Sequence, residues 1–525
     1  MTWLLAILRE QAQQQPDKIA LCTSSVTTGS DLVGSISYAA LLTRVELATD
    51  WLSGLTGAFG QPAERIGLLL DNSPAWALLD IACMSVNKTL IPIPAFFSPT
   101  QITGLLVDAG IDLLLTDQPE RIKALGDVGQ AWAVAETRSI AGRLISCLAP
   151  KETGIAPRLR CPLPADTVKI TYTSGSTGDP KGVCLSNESL RRVATELTAT
   201  MNIDSSYHHL CLLPLAVLLE NVAGLYVALL AGATCRLEPL ASLGWRGMTD
   251  FKFSQLAAVL LEQPVDSLIL VPELLTGLLT VAQQQPDSVK SLRLVAVGGA
   301  AVPAGELAAA ERLGLPVYQG YGLSECGSVV AVNCPVNNRA GSVGKPLPHQ
   351  RLKIADDGQI WIGGQGVSPY LGREQEVDDG WWATGDRGHL DDNGYLYIEG
   401  RYDNLLLTSF GRNVSPEWVE LLLVDQPVIQ QAVLLGGGQR QLKALLVVAA
   451  ETSDQQIEQA LFAVNQDLPD YARVSQWRRN EQRLTLANGL LTPGGLPNRV
   501  AVADFYRQLP LSDDNPVVNR GVSHA

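Results

Sequence analysis

Hydrophobic residues in the first half of the chain fall into short runs separated by stretches of helical spacing. Arg65-Ile-Gly-Leu-Leu-Leu70, Thr89-Leu-Ile-Pro-Ile-Pro94 and Ile111-Asp-Leu-Leu-Leu115 are compact apolar runs, with helical patterns near 74–86 and from about Pro99. Strand, helix, strand, helix, strand predicts a parallel sheet. The alternation resumes with Ser267-Leu-Ile-Leu-Val271, a helix from Pro272, and Leu292-Arg-Leu-Val-Ala-Val297. Residues 1–60 carry helical patterns, and Met1 to Glu10 is charged too soon for a secretory signal. Leu210 to Cys235 is the most hydrophobic stretch. Pro214, Glu220 and Asn221 interrupt it short of the ~20 apolar residues of a membrane span, so buried helix is expected there and no transmembrane segment. Further on, Asn393-Gly394 predicts a hairpin between strands near 387–390 and 395–399. Ser415-Pro416-Glu417 predicts a helix start, and the tail after Arg499 a polar loop.

Composition narrows the function. With 525 residues, 46% of them hydrophobic, the chain can bury a large core in more than one domain. A net charge of −14 argues against a nucleic-acid partner, since that affinity comes from clustered Lys and Arg. Nine scattered cysteines without a C-x-x-C pair predict reduced thiols and a cytoplasmic setting. Cys326 is expected to be a packing residue rather than a reactive thiol.

The candidate chemistry centres on Ile170-Thr-Tyr-Thr173-Ser174-Gly175-Ser176-Thr177-Gly178-Asp-Pro-Lys181-Gly182, a strand-like run that breaks into hydroxyls and glycines. Glycines let backbone N–H groups approach an anion, Thr173, Ser174, Ser176 and Thr177 add donors, and Lys181 adds charge. It is not the common NTPase loop, because Pro180 precedes the lysine and Gly182 follows it. Gly298-Gly299-Ala300 ends a predicted strand, where ligands of parallel sheets collect, and is a candidate nucleotide wall or an ordinary turn. In Gly320-Tyr321-Gly322-Leu-Ser324-Glu325 the aromatic suits a purine, Ser324 a phosphate and Glu325 Mg²⁺.

These motifs, in this order, resemble the adenylate-forming (ANL) superfamily of AMP-binding enzymes, which includes acyl-CoA synthetases, luciferases and peptide-synthetase adenylation domains. The resemblance covers residues from about 30 to 500. It implies an α/β fold: a large N-terminal domain of parallel and mixed sheets with flanking helices and a small barrel-like β part, plus a small α+β C-terminal domain. It also implies boundaries of 1–402 and 403–525 with a hinge at Asp403. By the same resemblance a carboxylate attacks the α-phosphorus of ATP, pyrophosphate leaves, and a thiol takes the acyl-adenylate. The thiol would be CoA or the phosphopantetheine of an acyl carrier protein. Thr173, Ser324 and Glu325 would hold phosphates and Mg²⁺, and Asp386 and Arg401 the ribose. Gly411, Arg412 and Asn413 would form the thiol-side loop. Leu213-Pro-Leu-Ala-Val217-Leu218-Leu-Glu220-Asn221-Val-Ala-Gly224 resembles the acyl-pocket segment of fatty-acid-activating members, placing Val217, Leu218, Asn221 and Gly224 in the pocket. An apolar wall suits an aliphatic acid, each buried CH₂ being worth ~0.8 kcal/mol.

Two positions depart from the pattern. Val217 stands where the family often has His. Asn488-Gly-Leu-Leu-Thr-Pro493 resembles the run before the family's adenylation lysine, but Leu496 occupies the lysine's place and Arg499 follows. Removing one transition-state donor typically costs ~2.7–4 kcal/mol. Arg499 is the expected substitute cation, completing a catalytic set with Thr173, Lys181 and Glu325. The alternatives are slow adenylation with thioester chemistry retained, or a non-catalytic acyl- or nucleotide-binding protein.

Overall fold

A computed structural model describes all residues except 1, 25–33, 58–60, 152–160, 174–180, 247–250, 374–375, 408–412, 437–441, 470–471, 493–494 and 510–525, and except the side chains of Thr173, Gln365, Asp403, Leu407 and Asn413. The large N-terminal domain is built on two sheets. In the seven-stranded sheet Arg65–Leu69 lies parallel between Thr89–Pro92 and Leu113–Thr116, and Thr167–Thr173 pairs next to Thr89–Pro92. Arg65–Leu69, Thr89–Pro92 and Leu113–Thr116 are buried along their whole length, which is why they read as unbroken apolar runs rather than alternating ones. The intervening helices Pro74–Ser85 and Pro99–Asp108 start on Ser73 and Ser98, whose hydroxyls accept from the N–H groups of Trp76 and Gln101, each with proline at the first helical position.

The nine-stranded sheet lines the main cavity described below. From Val317–Tyr321 through Leu294–Val297, Ser267–Leu270, His208–Leu210 and Thr234–Arg236 to Ile19–Cys22 its strands run parallel. One hydrophobic core joins the two sheets through the helices Tyr38–Ser53, Pro74–Ser85 and Asn187–Met201. The small β part is the antiparallel order Leu352–Ile354, Gln359–Gly363, Trp381–Leu390, Leu396–Arg401. The small C-terminal domain packs the helices Pro416–Val424, Asp454–Asp467 and Arg499–Gln508 on a three-stranded sheet. Asp425 touches the large domain, accepting from the Gly305 N–H at 2.7 Å.

Three expectations are corrected. The first 60 residues hold the strands Ile19–Cys22 and Ser35–Ser37 besides helices. Leu210 to Cys235 is not one buried helix: it begins and ends in strand, and its middle, Glu220–Tyr226, is a π-helix. The polar tail starts as the helix Arg499–Gln508, anchored by buried Val502 and Tyr506. Among the described residues no helix is long and apolar enough to cross a membrane.

Candidate active site

Thr167–Thr173 and Lys181–Ser186 pair antiparallel, with Thr173 opposite Lys181. The residues between them, with Ser174, Gly175, Ser176, Thr177 and Gly178, lie outside the described residues. Lys181 Nζ stands 5.6 Å from the centre of the Tyr370 ring, within cation–π range. The Tyr370 hydroxyl donates to Glu325 Oε1 at 2.6 Å. Backbone bonds hold this tyrosine in place: Cys184 N–H donates to Pro369 O and Leu371 N–H to Gly182 O, both at 2.8 Å. Burial, and then the Glu325 carboxylate, push the Tyr370 phenol up, so it stays a donor. Lys181, Tyr370 and Glu325 therefore form a fixed row beside the ends of the two strands that flank the candidate phosphate loop.

A second pair is set by strand register. Asp386 lies opposite Arg401, whose Nη1 donates to Asp386 Oδ1 at 3.0 Å, and the Tyr321 hydroxyl donates to Oδ2 at 2.5 Å. Burial pushes the Asp386 carboxyl above its ordinary range, while Arg401 and Tyr321 pull it back. A carboxylate and a guanidinium held this way offer paired acceptors and donors to vicinal hydroxyls. Tyr321 owes its position to its neighbour, for a Cβ on Gly322 would lie 1.7 Å from the Ser328 carbonyl oxygen.

Gly298, Gly299, Gly320, Tyr321, Gly322 and Ser324 line one part of a cavity of about 200 Å³ that continues over an apolar wall including Val217 and Leu218. Gly299 adopts φ +90°, open to glycine, at the end of the strand Leu294–Val297. Ser328 also lines the cavity. It is 7% exposed, has φ +115°, and its hydroxyl has no hydrogen-bond partner among the described residues.

The model of the AMP-binding enzyme family matches residues 8–370, and that of the AMP-binding enzyme C-terminal domain matches residues 403–480. The chain belongs to the AMP-binding enzyme family. This is the adenylate-forming superfamily that the motifs resemble, and its curated relatives are CoA ligases. A long-chain-fatty-acid–CoA ligase of Mycobacterium bovis is 28% identical over 76% of this chain and 75% of its own. The 2-succinylbenzoate–CoA ligase of Bacillus subtilis is 26% identical over 82% and 84%. Among solved structures, the o-succinylbenzoate CoA synthetase of Bacillus subtilis with its acyl-adenylate intermediate superposes with a TM-score of 0.73 over 94% of this chain and 97% of that one. At 22% identity that likeness shows the fold.

Within this family frame several predicted residues stand elsewhere. Ala300 is exposed and does not line the cavity. Asn221 is 1% exposed and faces the core: its amide donates to Asp80 Oδ2 at 2.9 Å and its oxygen accepts from Lys169. Gly224 lies behind the pocket, where a Cβ would meet Glu220 Oε1 at 2.2 Å and His209 Nε2 at 2.6 Å. Arg499 does not stand as a spare cation. Its guanidinium forks onto Glu420 at 2.7 and 2.9 Å and reaches Glu417 at 3.1 Å. Burial pushes the Glu420 carboxyl up and Arg499 draws it back, so the arginine is the counter-ion of a buried acid. Leu496 is 55% exposed. Gly411 and Arg412 lie outside the described residues, as do the side chains of Asn413 and Asp403.

Sequence reasoning missed Tyr370, Ser328 and the pair His209–Glu220. Tyr370 and Ser328 sit in irregular segments without a local pattern. His209, Cys211 and Glu220 bring possible ligand atoms within 4.8 Å of one another. The site is satisfied without a metal, because both His209 nitrogens and both Glu220 oxygens already have protein partners. Cys326 is 1% exposed and burial pushes its thiol up, in keeping with a packing role.

Proposed function

We propose that the chain joins a compact, largely apolar carboxylic acid to CoA through an acyl-adenylate, at the expense of ATP. The observation that carries this is one cavity with a glycine wall, the Asp386–Arg401 pair and the Lys181–Tyr370–Glu325 row at hand, continuing over apolar side chains. Asp386 and Arg401 take the ribose hydroxyls. Glu325 offers the single hard carboxylate that suits Mg²⁺ shared with phosphates, an ion that supplies charge neutralisation when bound. Lys181 and the backbone N–H groups of the glycine segments orient the phosphates, so catalysis is positioning and charge stabilisation rather than covalent work. Thr173, Ser324 and the loop 174–178 belong to the same proposal, as does a domain boundary at 402/403 with Asp403 as hinge.

The cavity's size favours an acid smaller than a long fatty acyl chain. About 200 Å³ compares with the ~150 Å³ that admits a benzene ring in an engineered apolar cavity. A single ring or a short to medium chain fits. The relatives include ligases of both kinds, one named for long-chain fatty acids and one for 2-succinylbenzoate. Nine free cysteines support a reducing, cytoplasmic setting.

Pyrophosphate release from ATP and Mg²⁺, measured across straight-chain and aryl acids with and without CoA, tests this. Acid-dependent release with a size optimum and a thioester product is expected. A carrier-protein thiol replaces CoA in the proposal if release needs no CoA and CoA is not acylated. No release with any acid, beside measurable ATP binding, overturns it in favour of a binding protein.

A further inference from the structure

Parallel register places a polar rung far from the glycine wall. His209 pairs with Ser267, Ser267 with Leu294, and Leu270 with Val297, the residue before Gly298. The rung thus lies four residues before the wall, or ~13 Å at ~3.3 Å per residue. His209 and Ser267 both line the cavity, whose walls between the rung and the glycines are mainly apolar. His209 Nδ1 is 2.9 Å from Ser267 Oγ, and Nε2 is 2.9 Å from Glu220 Oε1. Glu220 is fully buried and its other oxygen accepts from the Leu213 N–H at 2.8 Å. Gly224 leaves the room this pair needs.

We propose that His209 and Ser267 are the specificity-determining end of the acid pocket, and that the preferred acid carries a neutral hydroxyl at the end remote from its activated carboxylate. This rests on reading the cavity as the acid site. The chemistry of the rung selects the group. With Nε2–H given to Glu220, Nδ1 accepts the Ser267 hydroxyl proton and leaves Ser267 Oγ able to accept; with both ring nitrogens protonated, Nδ1–H donates and frees the Ser267 proton to be given. A hydroxyl answers both arrangements because it donates and accepts. A second carboxylate does not: among the described residues no lysine or arginine lines the cavity, and the Glu220 carboxylate stands directly behind His209. A plain methyl end leaves the rung's remaining hydrogen-bonding capacity dry and unused. The Ser328 hydroxyl, without a partner among the described residues and held at a strained backbone position in the same lining, is independent evidence that this cavity is shaped for a ligand with polar atoms.

The test compares three acids of matched length, ending in methyl, hydroxyl or carboxylate, by kcat/KM for pyrophosphate release. Wild type is expected to favour the hydroxy acid by at least about tenfold over both others, as sites built to hydrogen-bond a substrate group do. In Ser267→Ala the preference over the methyl acid is expected to collapse to about threefold or less. General damage to the fold lowers all three acids together and leaves that ratio in place, and Ser267→Cys, of nearly the same shape, gives the same reading if S267A does not fold. Equal rates for the three acids in wild type, a preference for the diacid, or an unchanged ratio in the variants overturns the inference. If no acid releases pyrophosphate, the ligase proposal fails by itself. Calorimetric binding of the same three acids then decides the pocket: tighter binding of the hydroxy acid supports it and equal binding overturns it.

Discussion

At the scale of single residues, Asp386 shows how the fold prepares a charged group before any ligand arrives. It is 5% exposed, yet holds Arg401 on one oxygen and Tyr321 on the other. Burial raises its pKa, so the ionised form proposed to accept ribose hydroxyls is lost, as pH falls, at a higher pH than for an ordinary carboxylate. The acid limb of kcat/KM for ATP is therefore expected above the usual carboxylate range of about 3.9. Arg401 is the strongest of the influences pulling that pKa down. Arg401→Met should move the limb further towards neutral pH as well as weaken ATP, whereas Arg401→Lys should leave the limb closer to its place. A limb that stays put in R401M assigns the titration to a different group. The same scale explains what sequence could not show. The Gly320-Tyr321-Gly322 spacing marked a close approach, but that Gly322 yields to the Ser328 carbonyl, and that Ser328 itself faces the cavity, depends on chain folded back within a few residues.

At the scale of elements, the buried knot around Lys169 ties the strand Thr167–Thr173, which leads to the proposed phosphate loop, to the helices behind it. Lys169 Nζ meets Asp80 Oδ1 at 2.8 Å and the Tyr226 hydroxyl at 2.8 Å, while Tyr226 and Asn221 donate to Asp80 Oδ2 at 2.7 and 2.9 Å. Burial lowers the Lys169 pKa and Asp80 opposes that shift, so the pair exists only as a unit. Lys169→Met leaves the fully buried Asp80 without its cation and should cost about 3–5 kcal/mol in denaturant unfolding. Lys169→Met with Asp80→Asn should cost less than the sum of the two single changes, and additive costs show that the residues do not act together. This knot also explains a misplacement. Val217, Asn221 and Gly224 share a face at α-helical spacing, but Asn221 is drawn into the knot by Asp80 and Lys169, and Gly224, within the π-helix Glu220–Tyr226, faces Glu220 and His209 instead of the pocket. The strands around 65–69, 89–92 and 113–116 were legible because burial on both faces demands continuous apolar residues. Ser35–Ser37 was not, since only Ile36 is buried, and Arg499–Gln508 hides two buried positions in a polar run.

At the scale of the whole molecule, the open question is how adenylation proceeds with Leu496 where the family resemblance places a lysine. The structure removes the nearest substitute, because Arg499 is committed to Glu417 and Glu420, and Glu417 also accepts from Asn404 at 2.6 Å, one residue beyond Asp403. Arg499 thus fastens the helix Arg499–Gln508 to the helix Pro416–Val424 beside the proposed hinge. Arg499→Ala should leave buried Glu420 uncompensated, destabilise the C-terminal domain by about 3–5 kcal/mol, and depress both half-reactions together. Leu496→Lys acts differently. The position is exposed and its carbonyl accepts from the Thr492 N–H at 2.7 Å, so the longer side chain enters solvent without repacking. If adenylation lacks only that cation, L496K should speed pyrophosphate release by at least about tenfold, up to the roughly 10²–10³ that one preorganised donor is worth, and leave thioester formation from supplied acyl-adenylate unchanged. Single-turnover measurement of each half-reaction separates the cases. Equal rates for L496K and wild type in the first half-reaction show that another group already stabilises the α-phosphate. Selective loss of adenylation in R499A would return the role to Arg499, released from its two glutamates when the C-terminal domain turns.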